Sequence, residues 1–334
     1  MAADGRIVER YATETPVERT GDAVGAACVE ALLRVRDAAR SRNLRLAAVG
    51  ISAIGPLDPW RGVVIDPPNM GPRFRDVPLA RIVAEALDLP AVLDRDTNVA
   101  ALGEQAYGAA RGVDDFLYLT VSTGLGGAIV QRGAIVHGPD GTAGELGHLP
   151  IDIDGPPCGC GGRGHLEAIS SGAGIARAAR EAVERGSSPV LAALARRVGL
   201  ERISAADVAG AEDAGDPVAA SIMQYARRAF AEAMVALVDI FDPSRVIVGG
   251  SIARAQGDRL LQPARDAVGD HAFRTAAARV EIVPAALGDD VGLVGAVPLV
   301  RGRLGPDAIE PEPRPSTPRA RPSRVPREAV DAAV

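Results

Sequence analysis

Gly144-Glu145-Leu146-Gly147-His148, followed closely by Cys158-Gly159-Cys160-Gly161-Gly162-Arg163-Gly164-His165-Leu166-Glu167, is the stretch on which the reading of this chain turns. Two thiols flanking a single glycine can reach one tetrahedral ion, and His148 and His165 complete a closed Cys2His2 set of the kind that holds structural zinc. Such an ion would fix an otherwise floppy loop. The other reading is a glycine-rich surface loop with incidental ligands, but two of the four His in the whole chain fall in this block. Gly159 to Gly164 also spell a G-x-G-x-x-G string; it comes after no strand, and its interior cysteine serves better as a ligand than in a dinucleotide turn. Cys28, in the apolar helical run Ala26-Ala27-Cys28-Val29, reads as a small core residue.

Upstream of the block, the chain alternates strands and helices. Leu46 to Ala53 reads as a strand, Pro78 to Leu87 as a helix, Ala91 to Leu93 as a strand and Thr97 to Gly108 as a helix. Asp94-Arg95-Asp96-Thr97-Asn98 therefore sits where a strand ends and a helix begins, the place where open α/β sheets bind ligands. A carboxylate there can take the proton of a hydroxyl attacking phosphorus, which makes Asp96 the candidate general base; an ordinary helix N-cap explains the segment equally well. Phe116 to Val121 and Gly127 to Val130 read as strands of a second sheet, joined by Ser122-Thr123-Gly124-Leu125-Gly126. That turn and Gly249-Gly250-Ser251, after a strand from Arg245 to Val248, could present backbone N–H groups to phosphates, or could be plain tight turns. Ser171 to Phe241 is helical in pattern, with Asp216-Pro217 as N-cap and first-turn proline, and Val280 to Val283 and Asp290 to Arg303 add a strand and a last helix.

Composition narrows the chemistry. The 334 residues are 47% hydrophobic, enough to fill two cores without disulfides. A net charge of −6 with Arg interleaved among acids offers no footprint for nucleic acid. No leader-like segment or run of eighteen apolar residues is visible, so a cytoplasmic protein without a membrane span is expected. The chain contains no lysine, which excludes Walker-type phosphate loops, protein kinases and Schiff-base enzymes, since each needs a Lys amine.

In this order and spacing the motifs resemble the ROK family, the group of sugar kinases, related open reading frames and sugar-responsive repressors. The resemblance runs from about residue 4 to residue 304, and the Glu-x-Gly-His plus Cys-x-Cys-Gly-x-x-Gly block is specific to it. It implies an actin-like (ribonuclease H-like) duplicated α/β fold of two domains flanking a cleft: residues 1–112 with the returning helix 290–304, and residues 113–289 with the zinc loop. It further implies ATP-dependent phosphorylation of a hexose, glucose being the best guess, with ATP, Mg2+ and structural Zn2+ as cofactors; some relatives use polyphosphate. By position in the motifs Asp96 resembles the catalytic base, and Asn69, Asn98, Glu145, His148 and Glu167 resemble residues that hydrogen-bond sugar hydroxyls. Ser122, Thr123 and Gly124 resemble the second phosphate loop, Gly249 and Gly250 the adenosine motif, and Gly55-Pro56-Leu57-Asp58 a loop on the sugar side. The family's habit points to a homo-oligomer, and the alternative activity is that of a sugar-binding regulator without turnover.

Two departures stand out. His165 replaces the family's third cysteine, and imidazole is also a good zinc ligand. Family members open with a strand carrying Asp-x-Gly-x-Thr, whereas Ala3-Asp4-Gly5-Arg6-Ile7-Val8-Glu9-Arg10 already resembles the segment beyond that loop, so a first strand and phosphate loop are expected to be lacking. Residues 305–334, rich in Pro and Arg, are expected to form a disordered tail.

Overall fold

The structure, a computed structural model, describes residues 1–306; the expectation for residues 307–334 lies outside the described residues. Thr20 starts the first helix, α1 (Gly21–Ser41), by accepting the Ala23 amide on its hydroxyl at 3.2 Å. β1 (Val49–Ala53) comes next, then a short antiparallel hairpin of β2 (Leu57–Asp58) and β3 (Val63–Val64), then α2 (Leu79–Leu87), β4 (Ala91–Arg95) and α3 (Asp96–Tyr107). β1 and β4 run parallel, with Val49 opposite Ala91 and Ala53 opposite Arg95. β1 begins later than the apolar run from Leu46 because its ladder starts only where the partner does, with the Val49 amide donating to the Pro90 carbonyl.

The second sheet holds β5 (Phe116–Val121), β6 (Leu125–Gln131), β7 (Ala134–Ile135), β8 (Arg245–Gly249) and β9 (Glu281–Pro284), in the order β7-β6-β5-β8-β9. Pairing is antiparallel from β5 to β7 and parallel from β5 through β8 to β9. Gly126 and Gly127 belong to β6, opposite Thr120 and Leu119, so the turn shrinks to Ser122, Thr123 and Gly124. Between β7 and β8 stand α4 (Leu166–Ser170), α5 (Gly172–Glu184), α6 (Pro189–Val198), α7 (Ala205–Asp213) and α8 (Pro217–Phe241). α9 (Ser251–Gln256), α10 (Asp258–His271) and α11 (Arg274–Ala277) lead from β8 to β9, and α12 (Val291–Leu304) is the last helix described.

Among the described residues β1 and β4 form a sheet of only two strands. Residues 1–16 lie outside any strand and are laid over helices instead, Tyr107 donating its hydroxyl hydrogen to the Ala3 carbonyl and Arg42 its guanidinium to that of Val8. One core, with Val49, Phe74, Val83 and Leu93, fills the first half; a larger one, with Leu119, Phe230, Met234 and Val246, lies between the second sheet and α8 and α10. α3 belongs to both halves. Its Ala100 and Ala101 pack with Phe116, Tyr118, Ala128 and Ile247 of the second sheet, while another part of its surface receives α12. That approach needs glycine: a Cβ on Gly295 would stand 1.9 Å from the Val99 carbonyl oxygen. Buried Glu104 locks the arrangement, its carboxylate accepting from the amides of Ala109 at 2.6 Å and of Ala286 and Leu287 at 2.9 Å each.

Candidate active site

The end of β4 delivers its residues to alternate faces, as a strand must. Asp94, Arg95, Thr97 and Asn98 are all buried, while Asp96 between them is exposed. Asp96 is the first residue of α3, where the helix dipole favours an anion, and its carboxylate accepts the Thr97 amide at 2.8 Å. Protein crowding around the carboxyl strips water from it and raises its pKa; the Thr97 amide and the Arg95 guanidinium pull the other way, and Glu145 adds to the rise. An aspartate in this setting can accept a proton near neutrality more readily than one in water.

Asn98 is turned inward. Its amide donates to Asp94 at 2.9 Å, and its buried Oδ1 has no partner among the described residues. Asp94 also takes His137 Nε2 at 2.7 Å and the Arg303 guanidinium at 3.2 Å. Burial raises the Asp94 carboxyl, but the hydrogen bonds from His137, Asn98 and the Arg95 amide outweigh it and leave the group below its usual range. Asn69 lies apart, exposed on the short 3-10 turn Pro68–Met70, where its carbonyl accepts from Arg19.

Glu145, His148 and Glu167 come together around the cysteine loop. His148 turns Nδ1 toward Cys158 Sγ at 3.7 Å and Nε2 toward Glu145 Oε2 at 3.9 Å, so one ring links the thiol loop to the Glu145 carboxylate. Glu167 accepts the Leu125 amide at 2.9 Å and places its other oxygen 3.9 Å from Cys158 Sγ. The ligand atoms of His148, Cys158, Cys160 and His165 all lie within 4.8 Å of one another, with Cys160 Sγ 3.2 Å from His165 Nδ1. Tetrahedral zinc with these ligands needs separations of about 3.3–3.8 Å, so the set fits an ion after small adjustments. Burial pushes the Cys158 thiol up, as expected of a thiol without a cation beside it.

The two glycine turns leave the second sheet side by side, because Thr120 of β5 is level with Gly249 of the parallel β8. Ser122 Oγ and Ser251 Oγ are 2.9 Å apart, and the carbonyls of Ser122 and Thr123 accept the first amides of α5. At Gly250 φ is +96°, and a Cβ would lie 2.3 Å from the Val121 carbonyl oxygen. Arg95 and His137 are site residues that sequence pattern does not single out. An arginine between two aspartates at a strand end is the only signal for the first, and none marks the second.

A family model, "ROK family", matches residues 1–303. This chain belongs to the ROK family. A glucokinase from Thermotoga maritima is 34% identical over 305 residues, covering 91% of this ROK chain and 93% of its own length. The ROK hexokinase of Thermus thermophilus superimposes with a TM-score of 0.72 at 34% identity, covering 89% of this chain and 91% of that one. The ROK glucokinase of Streptomyces griseus, solved with glucose and AMPPNP, gives a TM-score of 0.70 at 33% identity, with 90% and 93% covered. The actin-like fold is thereby established, and this ROK protein's likeness to glucokinases over nine-tenths of its length supports sugar kinase activity. No helix among the described residues is long and apolar enough to cross a membrane.

Proposed function

We propose that this protein transfers the γ-phosphoryl group of Mg-ATP to a hydroxyl of a hexose, glucose foremost. The observation that carries the reading is the presentation of Asp96: alone in its segment it is exposed, yet crowded enough to hold a raised pKa, at the start of a helix fixed by both halves. The sugar oxygen attacks the γ-phosphorus, the bond to the β–γ bridging oxygen breaks, ADP leaves, and Asp96 receives the hydroxyl proton. Positioning and charge neutralisation supply the rest of the acceleration.

In this reading Glu145, His148 and Glu167 hold adjacent sugar hydroxyls, with Asn69 approaching from its exposed turn and Asn98 supporting from behind Asp94. Ser122, Thr123 and Gly124 face the phosphates, and Gly249 and Gly250 let the nucleoside lie against the backbone. Zinc on His148, Cys158, Cys160 and His165 would be structural, holding the His148 ring in the orientation that serves Glu145. Residues 1–112 with the last helix form one domain and residues 113–289 the other.

The test is an ADP-release assay of the purified protein on glucose, mannose, N-acetylmannosamine, allose and fructose. Glucose turnover is expected, with kcat in Asp96→Asn lower by about 10²–10⁴-fold. Sugar binding without turnover on any of the panel would replace the kinase by a sugar-responsive binding protein.

A further inference from the structure

Arg95 is placed immediately before the base, yet its side chain is only 6% exposed, against 44% for Glu145, to which it is paired. Its guanidinium is committed. Nε donates to Thr97 Oγ1 at 3.1 Å, Nη1 to Glu145 Oε1 at 2.6 Å, and Nη2 to the carbonyls of Gly127 at 3.2 Å and Ala143 at 2.6 Å. Three of these acceptors lie beyond α3, on β6 of the second sheet and on the loop that carries Glu145. The loop is built around the guanidinium: Gly144 has φ +90°, and a Cβ there would come within 2.8 Å of Arg95 Nη2. From the opposite face of β4, Asp94 grips His137 of the same stretch. A buried arginine fork spent on one carboxylate and two carbonyls cannot itself bind a ligand, but it sets where that carboxylate stands.

We propose that Arg95 is a positioning residue for sugar phosphorylation, holding the Glu145 carboxylate at a fixed place in the cleft and tying the loop that bears it to the strand that delivers Asp96. The inference rests on the sugar-kinase reading above. With Oε1 taken by Arg95, Glu145 offers Oε2 to a sugar hydroxyl from a side chain already ordered before binding, so less rotamer freedom is lost when sugar arrives. The guanidinium also lowers the pKa of Asp96; Glu145 is the opposing charge, and Tyr118 of β5 is close enough to feel the Asp96 charge.

Charge and fork geometry are separable by two variants. Arg95→Met removes both, so the glucose KM is expected to rise about ten- to a hundredfold while the ATP KM moves less than about threefold. The acid limb of kcat/KM should also shift to higher pH, because Asp96 loses the cation that lowers its pKa. Arg95→Lys restores the charge without the fork, and should keep the acid limb near its wild-type position while leaving the glucose KM raised. Adding Glu145→Gln to Arg95→Met should raise the glucose KM little further, because the pair acts as a unit. A glucose KM unchanged in both Arg95 variants, or ATP and glucose KM raised alike, would overturn the role. If Arg95→Met does not fold, Arg95→Lys decides: a wild-type glucose KM overturns the role and a raised one with an unmoved limb supports it. A wild-type protein that turns over no hexose would instead remove the kinase reading and this role with it, whereas wild-type turnover beside an unmoved variant KM would remove the role alone.

Discussion

Where β4 ends, charged side chains gather and Asp94 and Arg95 are each tied to another; where β5 and β8 end, glycine and serine stand instead. On the sugar-kinase reading proposed above, the contrast matches what each ligand asks for. A sugar is a set of hydroxyls in fixed directions, which only oriented acceptors and donors can distinguish. A phosphate chain asks for close approach of backbone, which a side chain would block. Substitution should therefore fail differently at the two places: at β4 it removes a contact, and at the glycine turns it inserts atoms where backbone already stands.

Four measurements would break or sharpen that contrast. The largest effect is expected at Glu104, the common support of both sides, where Glu104→Ala would leave three backbone amides without their acceptor. A loss of about 3 kcal/mol or more in urea unfolding is expected, and a loss below about 1 kcal/mol would show that the halves are held elsewhere. Next, Gly250→Ala forces a side chain into a conformation that costs roughly 1–3 kcal/mol and against the Val121 carbonyl. The ATP KM should rise about tenfold or more with glucose binding intact; equal damage to both ligands would mean that the glycine side also shapes the sugar site. Third, on the proposed zinc reading, metal analysis before and after chelation should find the ion and its loss, and kinetics should show the reverse, the glucose KM rising about tenfold with ATP nearly untouched.

The smallest effect is expected in acid. Because the folded Asp94 carboxyl is depressed, the stability it contributes is present above its unfolded value near pH 4 and lost as pH falls through the lower folded value. His137→Ala removes part of what depresses it, so urea midpoints of that variant should fall less steeply on acidification than those of wild type. Parallel slopes would show that the His137 contact is electrostatically idle.

The strand–helix alternation and the position of Asp96 were legible because each depends on local pattern: an apolar run, a carboxylate, then helical spacing. That Cys158, Cys160 and His165 lie together was legible for the same reason, since they sit within one short loop, whereas His148 joins them from outside it. Asn98 and Arg95 show where that legibility stops. Which way a side chain points at the end of a strand depends on the first helical residue, and α3 begins one residue earlier than the pattern predicts, at Asp96. Nor could local pattern show that Arg95 reaches Gly127, Ala143 and Glu145, because those contacts join segments remote in sequence. The shortened turn at Ser122 has a similar origin: Gly126 and Gly127 look like turn residues until β5 pairs with them.

α3 packs against the second sheet and against α12, and so is shared by the two halves that flank the cleft. A part gripped from both sides works as a keystone: neither half can shift against the other without disturbing α3, so Asp96, its first residue, keeps one address relative to both the second sheet and the last helix.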